Sequence, residues 1–405
     1  MRVGGKSQPK NTIIKIMNVI SKNNEYKKNL LNRFVKYVKI WSESSSEMAD
    51  KGIFPSTELQ WDMAHALEEE LKSFGLEVTV TQDCYVYGFL KSNCQNQDSV
   101  LFLSHMDTVD EVSGKNVNPQ ILKKDDDLII KSDGSTLLGG DDKAGIAAIM
   151  TMIEYFVKNP EIKHKPIEVM FSPDEETGHG MDKVPLEIIK SKFAYTVDGG
   201  DEGEMESECF NAWSAIVNFT GKACHTGEAK AGGMINANLL ASDFISRLPE
   251  NMRPETTENK EGFIAVMNMK GNIENASVEL LLRSFHIEEI EKEKKIIENA
   301  ILETNKKFGG NGSVKFEQQY LNMKEKLDST PEVISNLEKA YKDADVKIIR
   351  KPIRGGTDGS RLTEMGIPTP NIFTGAHEFH SRNEWVSLNQ MSKSADILVN
   401  LATQI

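Results

Sequence analysis

The chain is expected to be an α/β protein. Its main domain should hold a mixed, largely parallel sheet flanked by helices, and a smaller α+β domain should be inserted into it. Three observations predict this. The 405 residues are too many for one comfortable core and suit two domains. From about residue 57 to 210, short β-rich runs alternate with helical patterns, as in layered α/β domains. After about residue 210 the pattern turns to half-exposed alternation, and the first pattern resumes from about 322.

In chain order, residues 1 to 28 form a basic leader, part of a first 30 residues carrying seven Lys/Arg and one Glu. The leader lacks the apolar stretch and small-residue cleavage site of a secretory signal and has no arginine enrichment, so it reads as a flexible extension. Thr57 and Gln60 suggest a capping box for a helix whose Leu59, Met63, Leu67, Leu71 and Phe74 share one face until Gly75. Strand-like runs follow at LEVTV, YVYGFL and SVLFLSHMDT. After a Gly-rich turn comes KAGIAAIMTMIEYFV, too long for a strand, then IEVMFS, a short helical PLEIIKS and FAYTVDGG. These runs place the main domain at 29–210 and 322–405. The insert, 211–321, combines the alternating SAIVNFTGKA, GFIAVMNMKG and ASVELLLRSF with two helices. One covers MINANLLASDFISRL, and the other carries Ile287, Ile290, Ile297 and Ile301 on one face.

Hydrophobic content of 39% and charged content of 27% are those of an ordinary globular protein. A net charge of −13 disfavours nucleic acid or an anionic membrane as partner. No run of about 18 apolar residues predicts a membrane span. Cys84, Cys94, Cys209 and Cys224 show neither paired metal spacing nor a disulfide framework, which suits a reducing cytoplasm.

The chemistry gathers directly after apolar strands, where parallel sheets build their sites. LFLSHMDTVD offers His105 and Asp107, two apart and so on one side of an extended chain. LLGGDDKAG offers Asp141 and Asp142, SPDEETG offers Asp174, Glu175 and Glu176, YTVDGG offers Asp198, and AHEFHSRNEW offers His377 and His380. Singly these are surface pairs, helix caps and turns. Together they crowd like charges at the mouth of a core, which is unfavourable unless cations neutralise them. Mixed His and carboxylate donors suit zinc, with manganese or cobalt as substitutes. Two histidines and three or more carboxylates suffice for two ions sharing a bridging carboxylate, a pair able to polarise a carbonyl and generate hydroxide near neutral pH. A neighbouring carboxylate that is not a ligand can then serve as general base.

In this order, SHMDTVD, LLGGDDKAG, FSPDEETG, YTVDGG, RGGTDG and NIFTGAHEFH resemble the M20 class of co-catalytic dizinc peptidases. SGKNVNPQI, TTENKEGF and NIFTG resemble its tripeptide-aminopeptidase branch. The likeness covers roughly residues 29 to 405. It implies one zinc on His105, Asp198 and bridging Asp141, and a second on Glu176, His380 and Asp141. Asp107 would orient His105, Glu175 would be the general base for a bridging hydroxide nucleophile, and the bond after Asp141 would be cis. The insert resembles the family's lid and dimerisation domain, so a homodimer is implied. ACHTGEAKAGGMINA matches the loop whose histidine, here His225, stabilises the oxyanion. Asn236, Arg283 and Arg354 match substrate-binding positions, where an arginine could clamp a short peptide's carboxylate.

The resemblance implies a cytoplasmic zinc aminopeptidase acting on tripeptides. A dipeptidase, a carboxypeptidase or an N-acyl amino acid hydrolase would use the same dizinc site. A catalytically silent binding protein would be expected to have lost Glu175 or a ligand, and every one is present.

Overall fold

The computed structural model describes residues 17–404. Eight strands form the central sheet in the order Glu77–Val80, Val86–Leu90, Ile167–Ser172, Val100–His105, Ala194–Gly199, Asn371–Phe373, Glu204–Glu206 and Ile349–Arg350. Four of its pairings are parallel and three antiparallel. Strand alternation explains why both faces are covered. Val100 and Phe102 point into the main core with Val169, Phe171 and Val86, while Leu101 and Leu103 point to the opposite face with Met170, Tyr85 and Tyr87.

The main core is closed by the helices Gly140–Lys158, Leu388–Ala402 and Asn24–Tyr37. Ile146, Ile149 and Ile153 of the first are fully buried, each worth about 1.5–3 kcal/mol of hydrophobic stabilisation. The opposite face is covered by Met181 and by Leu362 of the helix Asp358–Glu364.

Ordered structure begins earlier than the flexible extension expected for residues 1–28. Ile20 is buried, Ile20 N and Ser21 N donate to the Asp396 carboxylate, and Asn23 caps the helix Asn24–Tyr37. Apolar docking of this segment outweighs its lysines, which stay at the surface; residues 1–16 lie outside the described residues. The capping box expected at Thr57 and Gln60 does not form. Thr57 Oγ1 donates to Glu43 O at 2.6 Å, and buried Gln60 turns to Asp174, donating to its Oδ1 at 2.6 Å and accepting from its N at 3.0 Å.

The strands Asn211–Thr220, Phe263–Gly271, Asn275–Ser284 and Asn311–Tyr320 make a separate antiparallel sheet, packed on the helices Ala237–Arg247 and Ile287–Phe308 around its own core. The two chain crossings into this unit are tied together. Asn322 N donates to Asn211 Oδ1 at 3.0 Å, and both amide side chains donate to Phe285 O. A third, smaller sheet joins the hairpin Gln120–Lys124 and Asp127–Lys131 to Trp385–Ser387 and Ala376–His377. Among the described residues, no helix is long and apolar enough to cross a membrane.

Candidate metal centre

Three parallel neighbours aim their C-terminal ends at one place. The strand Val100–His105 pairs with Ile167–Ser172 on one side, His105 opposite Ser172, and with Ala194–Gly199 on the other. Parallel register therefore brings His105, the turn carrying Glu175 and Glu176, and Asp198 to a common edge. Asp141 reaches the same edge from the start of the helix Gly140–Lys158, with a cis bond to Asp142.

The Asp141 carboxylate lies between two histidines. His105 Nε2 is 2.9 Å from Asp141 Oδ1 and 3.6 Å from Asp198 Oδ1. His380 Nε2 is 3.3 Å from Asp141 Oδ2 and 3.2 Å from Glu176 Oε2. Donor atoms of His105, Asp141 and Glu176 all lie within 4.8 Å of one another, as do those of His105, Asp142 and Asp198. Asp142 competes with Asp141 as a ligand by distance alone. Its oxygens, however, accept from Ser104 Oγ, His105 N and Gly145 N, so it braces the turn and leaves the open position to Asp141.

The charge balance points the same way. Burial works to raise Asp141, but bonds to His105 and His380 overcome it and hold Asp141 well below the carboxylate range. Burial and the Asp141 charge push Glu176 up to about 8, and burial pushes Asp198 up to about 6. Bonds to Asp141 and Glu176 lift His380 to about 11. Carboxylates forced toward neutrality beside histidines forced toward charge are what a set of metal donors does when protons stand in for cations. This donor set fits divalent cations.

Asp107 supports the site from beneath. Its carboxylate is fully buried and accepts from Glu175 N at 3.1 Å and Glu176 N at 3.2 Å. It also stands 3.4 Å from His105 Nδ1, whose shorter contact, 3.1 Å, is to the Asp107 backbone carbonyl. Asp174 adopts a left-handed backbone, φ 57°, held by Ser56 and Gln60. Burial, opposed in part by the charge of His105, raises Glu175 well above its ordinary value, which suits a proton carrier.

The other expected residues make their own bonds outside this cluster. His225 is exposed on the insert, and its Nδ1 accepts from Gly227 N at 3.2 Å. Asn236 caps the helix Ala237–Arg247 through Asn238 N. Arg283 Nη1 donates to Trp213 O and Leu282 O, with its guanidinium 5.6 Å from the Tyr320 ring centre. Arg354 differs most from expectation. Its Nη1 donates to Asn259 O and Glu261 O and its Nη2 to Thr257, while it stacks over Phe210 and Phe263. Its terminal N–H groups thus grip the insert, because the 257–261 loop turns its carbonyls toward the main domain. His377, left without a role, stacks on Trp385 at 3.8 Å and pairs with Asp201 at 2.6 Å.

Sequence reasoning passed over Glu384, which is buried and accepts from Leu138 N, Gly139 N and Asp141 N. Burial pushes it up to about 7 against the pull of those N–H groups. Its place four residues after His380 was the available signal. Also passed over was Asp358 of RGGTDGS, buried against Ser172 Oγ at 2.5 Å.

Residues 101–404 match the model of peptidase family M20/M25/M40. The chain belongs to this family. It is 43% identical over 402 residues to Peptidase T of Clostridium perfringens (strain SM101 / Type A), covering 92% of this chain and 98% of that one. Among solved structures, it resembles a tripeptidase from Staphylococcus aureus with a TM-score of 0.78 at 24% identity, covering 93% of this chain and 98% of the other. A dinuclear metal binding peptidase of the M20 family from Bacillus subtilis gives 0.66 at 13% identity, covering 94% and 98%. At these identities the solved structures speak for a shared fold, and membership of the family makes the chain a metallopeptidase.

Proposed function

We propose that the chain is a dizinc aminopeptidase that removes the N-terminal residue from tripeptides. The carrying observation is the Asp141 carboxylate between His105 and His380, with Asp198 and Glu176 flanking it and Glu175 adjacent. The near-complete alignment with Peptidase T supports the tripeptide reading. His105, Asp141 and Asp198 would hold one ion, and Glu176, His380 and Asp141 the other. When bound, two such cations polarise the scissile carbonyl and make water acidic enough to react near neutral pH.

Glu175 supplies the proton path. Its carboxylate takes a proton from the attacking water as the water oxygen bonds to the carbonyl carbon, and passes that proton to the amine nitrogen as the C–N bond breaks. Asp107 keeps Glu175 and Glu176 in register by holding their adjacent amides. His225 is suited to the developing oxyanion once the insert, acting as a lid, brings it over the substrate. Gly227 N occupies its Nδ1, so the neutral ring carries its proton on Nε2, free to donate. Arg283 and Asn236 would recognise the remainder of the peptide. The exposed Val266, Met267 and Met269 of the strand Phe263–Gly271 suit a homodimer contact through the lid. All four cysteines are free, consistent with a cytoplasmic location.

The test is release of free N-terminal amino acid from matched di-, tri- and tetrapeptides, with chelator and then with zinc restored. Preference for the tripeptide, lost on chelation and recovered with zinc, is expected. Zinc-dependent cleavage of dipeptides alone would refute the tripeptide assignment, and zinc-independent hydrolysis would refute the mechanism.

A further inference from the structure

We infer that Glu384 is a positioning residue for the metal centre, fixing the bridging carboxylate Asp141 relative to the ligand His380. The inference rests on the dizinc reading of the site. Glu384 is fully buried, and its two oxygens serve three backbone donors of one turn. Oε2 accepts from Leu138 N at 3.1 Å and Gly139 N at 2.7 Å, and Oε1 accepts from Asp141 N at 2.9 Å. Among the described residues Glu384 makes no ion pair to a lysine or arginine; the buried Lys143 ammonium, bonded to Ile40 O, acts on it only through space, so these amides are its direct hydrogen-bond partners. A carboxylate buried this way is costly unless its acceptors are satisfied, and here the turn itself satisfies them.

The local sequence is shaped to permit the contact. Gly139 has φ 82°, a left-handed conformation that side chains resist. A Cβ on Gly140 would lie 2.7 Å from Val386 Cγ2 and 3.0 Å from Glu384 Oε1. The Gly-Gly pair before Asp141 thus lets the carboxylate reach the backbone. Because Glu384 follows His380 by four residues, a single short segment both presents His380 and grips the turn that presents Asp141. Metal ligands are tuned by such outer partners, whose loss typically lowers metal affinity about 10–100-fold.

Glutamine at this position has one acceptor oxygen where the turn needs two. Whichever way the amide lies, its NH2 faces an N–H of Leu138 and Gly139 or of Asp141. The experiment compares wild type, Glu384→Gln and Asp396→Asn by zinc competition against a chromophoric chelator, with folding followed by circular dichroism. Asp396 is a control of the same kind, a buried carboxylate that accepts from the Ile20 and Ser21 amides. A loss of zinc affinity of about tenfold or more in Glu384→Gln, with Asp396→Asn unchanged, is expected. Affinity in Glu384→Gln within threefold of wild type, or an equal loss in Asp396→Asn, would overturn the inference. Failure of wild type to bind two zinc ions would instead overturn the reading of the site on which it rests. Should Glu384→Gln not fold, Glu384→Asp keeps both oxygens but withdraws them by one methylene. Its zinc affinity is then compared in the same way, a tenfold loss supporting the inference and a value within threefold of wild type overturning it.

Discussion

Removing the Asp107 carboxylate should strike the centre from below. In Asp107→Ala, the amides of Glu175 and Glu176 lose their acceptor, at 3.1 and 3.2 Å, inside a site closed to solvent beneath. A buried donor left unsatisfied costs about 1–3 kcal/mol, so two partly buried ones should cost the metal-free protein about 2–4 kcal/mol. His105 should keep its ring orientation in part, since the 3.1 Å contact of Nδ1 is to the Asp107 backbone carbonyl, which the substitution spares. Zinc affinity should therefore fall by about 10–100-fold without vanishing. Urea unfolding in the presence of chelator measures the first quantity and competition titration the second. A stability change below about 1 kcal/mol together with unchanged zinc affinity would show that the Asp107 amide contacts do not organise the loop.

Glu175→Gln should keep the zinc content of wild type and lower kcat by about 100- to 10,000-fold, and a loss below tenfold at full metal loading would remove Glu175 as the base. Arg283→Ala should raise KM for a tripeptide about tenfold or more while changing KM for the same tripeptide amide much less; equal effects on both would exclude carboxylate recognition. In Asp243, burial is outweighed by Lys307, Arg247 and Thr304, which hold its carboxyl at about 2 against an ordinary 3.8. Its stabilisation is thus present above the ordinary value and lost as pH falls toward 2. Asp243→Asn should lower the urea midpoint at pH 6 and flatten its decline between about pH 4 and 2 relative to wild type; parallel curves would refute this.

The parts legible in the sequence are those where apolar periodicity and charge conflict. IEVMFS followed by Asp174, Glu175 and Glu176 is such a place, and so is LFLSH before Asp107. The hairpin Gln120–Lys124 and Asp127–Lys131 was not legible. Its lysines and aspartates mask a strand that lies mostly at the surface and needs little apolar alternation. The strand Asn311–Tyr320 escaped for the same reason, six of its ten residues being exposed and none buried. Gln60 misled because a helix-start residue was recruited over a long sequence separation by Asp174. Glu384 was harder to read for a related reason, since only its place four residues after His380 marked it. Its partners are backbone amides, which no residue pattern advertises.

The order in which the site is assembled along the chain bears on biosynthesis. His105, Asp141, Glu175, Glu176 and Asp198 all precede the insert, whereas His380 and Glu384 follow it. A ribosome must therefore complete the whole insert, with its separate core, before Asp141 and Glu176 gain His380 or the Asp141 turn gains Glu384. The helix Leu388–Ala402, which seals the main core against Gly140–Lys158 and anchors Ile20 through Asp396, emerges later still. A nascent chain thus carries His105, Asp141, Glu176 and Asp198 without His380, and the cluster is complete only once the last segment of the main domain has emerged.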